Sequence, residues 1–205
     1  MGKIVGGNIA GGVGNLVFYS YNGNNYVRTA PGKRSGKSWT EKQLQNQKRF
    51  NALISFWRQF RFGPIKQIWR VAEEGKKCNC LFYETNAVAF GPDGTLMDKE
   101  RLHFSAGKLP LPHLFTANRV PGDPDKIEVT WQYDEGNRMA WFDDELMMMV
   151  SNDGKFIGPI ATGVIRKQES AVIQLPSGIG TVNGIYLFFG SDIRKLYSPD
   201  IYFGI

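Results

Sequence analysis

The 205-residue sequence lacks several features that would place it in a common functional class. Two cysteines are too few for a disulfide framework, and two histidines leave little material for histidine-based catalysis. No run of about 18 apolar residues occurs, so we expect no membrane-spanning helix and no membrane partner. The first twelve residues hold one lysine and no sustained apolar stretch, unlike a secretory signal, so we expect a cytoplasmic protein.

Acidic residues are scarce in the first part of the chain. Residues 1–77 contain 14 Lys and Arg against 3 Asp and Glu, a balance of +11. Residues 78–205 contain 11 against 16, a balance of −5, which leaves the net charge at +6. A basic part of this size predicts either contact with a nucleic acid or another anionic surface, or attraction between the two parts, within one molecule or between copies.

The N-terminal region is rich in glycine and predicts a β-hairpin. Asn22-Gly23 stands between two β-prone runs, and both central residues of a type I′ turn need positive φ. We therefore predict a hairpin over about 15–29. Pro31 ends it, and residues 31–38 form a basic connector.

Two amphipathic helices are expected next. Thr40 and Gln43 fit a capping box, so a helix should begin there. Its apolar side falls within one arc of the helical wheel and consists of Phe50, Leu53, Ile54, Trp57 and Phe60. A second helix should run from Pro64 to about Glu74, and a shorter helical piece should cover 79–89.

Beyond residue 95 the pattern changes to period two with frequent turns, which is typical of an antiparallel sandwich. The predicted strands are 101–106, 126–133, 144–151, 160–166, 170–175, 183–190 and 196–204. The predicted fold is therefore α+β: an N-terminal β-hairpin and amphipathic helices, followed by an antiparallel immunoglobulin-like β-sandwich. We expect a Gly-rich and basic helical region over 1–94 and the sandwich domain over 95–205.

Two predicted strands, 145–150 and 185–189, are apolar on both faces. In the first, Met147 and Met149 point away from Leu146 and Met148. A strand of a β-sandwich normally has one solvent-exposed face. Because both faces of these strands are apolar, a second layer should cover their outer face. That layer is either the helices of residues 40–74 or another protein chain.

Two resemblances support this reading of the fold. The segment Ile127-Glu128-Val129-Thr130-Trp131 and the strand Gly184–Phe189 resemble those of a fibronectin type III-like or immunoglobulin-like sandwich. Nearly the whole chain also resembles a family of uncharacterised proteins of about 200 residues that is common in Bacteroidetes. The matching landmarks are 11–17, 25–28, 40–44, 142–144 and 198–204. This resemblance implies the hairpin–helix–sandwich order and supplies no activity or catalytic residue.

Motifs that would carry chemistry are incomplete. Residues 32–38, GKRSGKS, miss the P-loop spacing by one residue. Cys78, Cys80, His103 and His113 are poorly spaced for zinc, because only Asn79 separates the cysteines. The nucleophile elbow Gly-x-Ser-x-Gly is missing from the sequence. We therefore expect no enzyme, no catalytic residue, no metal and no cofactor.

The sequence thus predicts a structural or interaction protein whose partner is another protein, including copies of itself, in a self-assembling or prophage-associated role. The predicted contact residues are Leu16, Phe18, Tyr19, Tyr21, Tyr26 and Arg28, with Met147 and Met149 as second choices. The alternative is a nucleic-acid-binding protein that uses Arg34, Lys37, Lys48 and Arg49.

Overall fold

A computed structural model describes residues 3–5, 8–32, 39–72, 79–152 and 154–205. It is a mixed α+β structure with antiparallel strands in three sheets, which confirms the predicted class at that level. The chain divides into two compact units, Met1–Thr40 and Glu41–Ile205. This division differs from the predicted boundary at 94/95, because the helices share a core with the later strands.

The first unit is a four-stranded antiparallel sheet, here called the N-terminal sheet. Its strands β1 (Lys3–Val5), β2 (Asn8–Val13), β3 (Leu16–Tyr21) and β4 (Asn24–Thr29) lie in chain order. Asn22 and Gly23 connect β3 to β4 with φ of 50° and 79°. Both values are positive, as the type I′ turn requires, so the predicted hairpin is confirmed. Two further strands extend it through the glycine-rich segment.

Three helices open the second unit: α1 (Glu41–Arg58), α2 (Pro64–Ala72) and α3 (Cys80–Asn86), followed by a 3₁₀ turn at Ala87–Ala89. The predicted end of α2 near Glu74 lies outside the described residues. The buried side of α1 is shifted from the predicted arc. Phe56 is buried and contacts Phe82 and Phe104, whereas Phe50 is 49% exposed.

Eight strands complete the second unit in two sheets. One sheet has the order β5 (His113–Val120), β6 (Asp123–Gln132) and β9 (Ser170–Gln174). The other has the order β11 (Leu196–Tyr197), β10 (Gly184–Ser191), β7 (Glu145–Asn152) and β8 (Lys155–Ile165), with β12 (Ile201–Phe203) also paired to β10. These two sheets share one apolar core, in which Val129 and Trp131 of β6 lie with Met148 and Phe189.

The structure departs from the predicted strands at residues 101–106 and at β5, and each difference has a physical cause. Residues 101–106 form no strand, since side chains hold their backbone: His103 N donates to Asn86 Oδ1 at 2.6 Å, and Phe104 N donates to Asp200 Oδ2 at 2.6 Å. The strand β5 was missed because Pro110 and Pro112 suggested a loop and its apolar alternation is weak. Its pairing with β6 compensates for that weak pattern.

The second face of β7 and β10 is covered by the chain's own helices. Met149, Tyr186 and Phe188 share a core cluster with Leu53, Phe56 and Trp57 of α1 and with residues of α2 and α3. Met149 is 0% exposed, and Met147 is partly buried against the same cluster. Of the two predicted coverings, the structure has the helices. This corrects the second-choice contact residues Met147 and Met149, because the fold already occupies that face.

A buried carboxylate joins the helical layer to the end of the chain. Asp200, 4% exposed, accepts hydrogen bonds from His103 Nδ1 at 2.8 Å and from Phe104 N. Trp69 of α2 donates to Phe104 O at 3.0 Å, so the same segment is fixed from both sides. The hydrogen bond to Asp200 raises the pKa of His103 above its ordinary value, against the opposing effect of burial.

This pKa shift predicts a pH-dependent stability. Because the folded pKa of His103 exceeds the unfolded one, its stabilising contribution is complete below about pH 6.5 and is lost as the pH rises through the folded pKa. The melting temperature of the wild type should therefore exceed that of His103→Gln by more at about pH 6 than at about pH 9. Thermal unfolding followed by circular dichroism measures both values. Asn118→Gln, at an exposed and non-titrating position of β5, is the control and should show no such trend. A constant difference would remove this role of His103.

Candidate interaction surfaces

The N-terminal sheet carries apolar side chains but has no buried residue among positions 10–32. All six residues of β4 are exposed. Val13 is 63% exposed, Tyr21 64% and Val27 55%. A sheet gains its stability from a covered apolar face, and positions 10–32 include no buried side chain that would form one. The described part of the N-terminal sheet therefore leaves its apolar side chains uncovered.

One face of the N-terminal sheet is aromatic and basic, and we call it the tyrosine face. Tyr19 and Tyr26 pair across β3 and β4, with ring centroids 5.5 Å apart and an interplanar angle of 21°. The Arg28 guanidinium lies 5.8 Å from the Tyr19 ring centroid. Tyr21 shares this face because side chains alternate along a strand. The register places Leu16, Phe18 and Val27 on the opposite face.

The structure thus brings the six first-choice contact residues onto two adjacent strands. Leu16, Tyr19, Tyr21, Tyr26 and Arg28 are exposed, and Phe18 is half-buried. The four residues of the nucleic-acid alternative are not brought together in the described chain. Lys48 is exposed and Arg49 half-buried on α1, whereas Arg34 and Lys37 lie outside the described residues.

A second surface, which the sequence did not reveal, lies at one end of the two packed sheets. The register of β10 with β7 places Gly190 opposite Glu145, so residues 133–144 and 192–195 emerge at the same end. With residues 166–169 these segments form what we call the loop end. Its exposed apolar residues are Met139 at 43%, Trp141 at 48%, Phe142 at 56% and Ile193 at 91%.

Buried charges fix the loop end. Asp144 is 0% exposed and accepts a hydrogen bond from Trp141 N at 2.9 Å. Its carboxylate pairs with Arg194, and Arg166 Nε lies 3.4 Å from Asp144 Oδ2. Arg194 also donates to Met139 O at 2.8 Å, and its guanidinium lies 4.2 Å from the Trp141 ring centroid. Segments 133–144 and 192–195 are therefore held as one body.

Arg166 anchors the loop end to the core between the two sheets. It is 1% exposed, and its guanidinium lies 4.2 Å from the Phe189 ring centroid. One of its terminal nitrogens donates to Pro110 O at 2.9 Å, and its own carbonyl accepts from Trp131 Nε1 at 2.6 Å. Burial lowers the pKa of Arg166, and the charge of Asp144 opposes this effect. The ion pair is therefore needed to offset the cost of burying this cation.

An acidic cleft adjoins the apolar patch of the loop end. Its volume is about 680 Å³. It is lined by His113, Gln132, Tyr133, Asp134, Glu135, Lys167 and Glu169. The lining of the cleft thus includes three carboxylate side chains and one lysine. Glu169 Oε1 accepts a hydrogen bond from Tyr133 N at 2.9 Å, and Lys167 N donates one to Phe142 O at 3.0 Å. The residues of the cleft are therefore hydrogen-bonded to the segment that carries the exposed aromatic side chains.

The sequence offered a partial signal for this surface. Its exposed aromatics, Trp141 and Phe142, directly precede an acidic pair that is common in turns. The position of these aromatic residues is fixed by the pairing of Asp144 with Arg194, which is fifty positions away in the sequence. Nothing in the local pattern specifies that contact.

Of the four candidate zinc residues, three lie within the described part of the chain. Cys80 is an exposed free thiol, His103 binds Asp200, and Cys78 lies outside the described residues. Within the described ranges, no three His, Cys, Asp or Glu side chains come close enough to hold a metal ion. No helix in the same part of the chain has the length and apolarity needed to cross a membrane.

The chain was compared with known proteins in three ways. No protein-family model, curated protein or solved structure matches it. The two resemblances drawn from the sequence therefore remain predictions, and the function must be argued from the surfaces themselves.

The network around Asp144 predicts a large loss of stability on its removal. Asp144→Ala should lower the free energy of unfolding by about 3–5 kcal/mol, because it leaves buried arginine charge unpaired. Asp143→Ala is the matched control, since that neighbour is exposed, and should change the value by less than about 0.5 kcal/mol. Urea denaturation of both variants measures the difference. Equal effects would show that Asp144 has no special structural role.

Proposed function

We propose that this protein is a non-enzymatic interaction protein that assembles with another copy of itself through the N-terminal sheet. The observation that carries the proposal is that positions 10–32 include no buried residue although they hold exposed tyrosine, leucine and valine side chains. Such a surface on a folded protein is a mark of a binding site. The cytoplasmic location expected from the sequence belongs to the same proposal.

The energetics of covering the sheet favour association. Full burial of one large apolar side chain contributes about 1.5–3 kcal/mol. Six large apolar residues of the sheet are exposed by 39% or more: Val13, Leu16, Tyr19, Tyr21, Tyr26 and Val27. Covering several of them offsets an association cost of about 4–15 kcal/mol. Stacked Tyr19 and Tyr26 are already ordered, so little side-chain entropy would be lost on contact.

The second unit supplies a rigid body for this contact. Its strand order, β5-β6-β9 against β8-β7-β10-β11, supports the finer proposal of an immunoglobulin-like or fibronectin type III-like sandwich. Trp131, on the second strand of this unit, lies buried between the sheets, which supports the proposal. A place in an assembled particle, such as a prophage structure, extends the proposal by analogy of fold alone.

The test is the mass of the protein in solution. The wild type should sediment as a concentration-dependent multiple of 23.1 kDa. Tyr19→Ser combined with Tyr26→Ser should shift the population to the single-chain mass, because it removes the stacked pair of the tyrosine face. Sedimentation equilibrium measures the masses.

The control pair is Phe62→Ser with Val88→Ser, which removes apolar side chains that are 86% and 60% exposed elsewhere. It should leave the mass of the assembly unchanged. A wild type that stays a single chain at every concentration would overturn the proposal, as would a tyrosine variant that assembles normally.

Nucleic-acid binding is the second candidate, and the tyrosine face favours it. Tyr19, Tyr26 and Arg28 combine stacking surfaces with a cation, and residues 1–40 contain no Asp or Glu. Stacking of a base on an aromatic ring is worth about 1–3 kcal/mol. This candidate predicts a gel shift with a single-stranded oligonucleotide that weakens as salt rises.

Two variants check the second candidate. Tyr19→Ala with Tyr26→Ala should weaken the shift at least tenfold, by loss of about one stacked base. Charge reversal at Arg34, Lys37, Lys48 and Arg49 should abolish it if those residues hold phosphates. Absence of any shift at low salt with the intact protein would exclude nucleic-acid binding.

A further inference from the structure

We infer that the loop end is the surface that receives the N-terminal sheet of a second copy, so that copies join head to tail. This inference rests on the proposed function and names the site that the N-terminal sheet occupies. It is carried by two features of the loop end: a fixed apolar patch and an acidic cleft beside it.

The apolar patch has the composition of an interface core. Aromatic, Met and Arg side chains are enriched in such cores, and the patch holds Met139, Trp141, Phe142 and Arg194. Trp and Arg are also the residues that most often dominate binding energy. Ile193, 91% exposed, extends the patch at its edge.

The patch is also ordered before any partner arrives. The backbone around Trp141 and Phe142 is fixed by hydrogen bonds to Asp144 and from Lys167 N. Contact with a preorganised surface costs less entropy than contact with flexible loops. Apolar side chains that stay exposed on such a fixed backbone are available to a partner without prior ordering of the loops.

The charge of the cleft lining favours this occupant. The acidic cleft holds Asp134, Glu135 and Glu169 against Lys167 alone. Residues 1–40 contain five Lys and Arg and no Asp or Glu, and Arg28 projects from the same face as the stacked tyrosines. The tyrosine face thus offers aromatic area for the patch and a cation for the cleft.

The same charges oppose the simplest alternative, which is pairing of two N-terminal sheets. Each sheet would bring only positive charge to that contact, and like charges across an interface reduce affinity. A contact between two different surfaces is heterologous, so it continues from copy to copy until a ring closes or a filament grows.

A complementation experiment with full-length chains tests the inference. The sheet variant carries Tyr19→Ser and Tyr26→Ser, and the loop variant carries Phe142→Asp and Ile193→Asp. Each should be a single chain on its own. An equimolar mixture should form a dimer and stop, because one intact sheet meets one intact loop end and no second contact remains. Sedimentation equilibrium gives the masses.

Two controls distinguish a specific loss of contact from a general effect of the substitutions. Phe62→Asp applies the same change to an aromatic ring that is 86% exposed outside both surfaces and should assemble as the wild type does. Circular dichroism must show native melting for each variant. If the aspartates disturb the fold, Phe142→Ser with Ile193→Ser replaces them. High salt should weaken the mixed dimer, since the Arg28 contact is electrostatic.

The possible negative results distinguish the head-to-tail inference from the proposed function on which it rests. A loop variant that assembles like the wild type overturns the role of the loop end and leaves contact through the N-terminal sheet intact. A mixture that remains single chains overturns the head-to-tail arrangement. A sheet variant that still assembles overturns the proposed function itself, and the inference with it.

Discussion

The structure depends on one constraint: β7 and β10 are apolar on both faces and must be covered twice. Met148 and Leu187 face the core shared with β6, whereas Met149 and Tyr186 face the core shared with the helices. Neither layer alone would keep this pair of strands out of water. The helices are therefore part of the second unit, and the division of the chain falls before α1.

The second constraint is electrostatic and acts at one end of the same unit. Placing Asp144 and Arg166 in the interior carries a desolvation cost that only close pairing offsets. Arg194 completes the arrangement from the turn after β10, with its guanidinium also against Trp141. The geometry of the exposed loops is thus a consequence of how the buried charges are satisfied. This explains why apolar residues at the surface can be ordered.

Local chemistry made part of this fold predictable. Asn22-Gly23 specifies its turn through positive φ, and Pro64 begins α2, so both elements could be located from sequence. The doubly apolar pattern at 145–150 required a covering layer. Contacts between distant residues were not predictable. Residues 101–106 are held by Asn86 and Asp200, and the loop end needs Arg194 beside Asp144. The side chains on β3 and β4 follow an alternation that is local in sequence and could be predicted, whereas the loop end depends on a contact between residues fifty positions apart.

The two units differ in whether their apolar side chains are buried. Buried residues in the described chain lie in Glu41–Ile205, so changes there act first on stability. Residues 10–32 hold apolar side chains and include no buried residue, so changes there have little stability to remove. A chain whose apolar residues served only folding would bury them beside the others. Under the proposed function, a contact that forms after folding accounts for their separation into an exposed sheet with only positive charge.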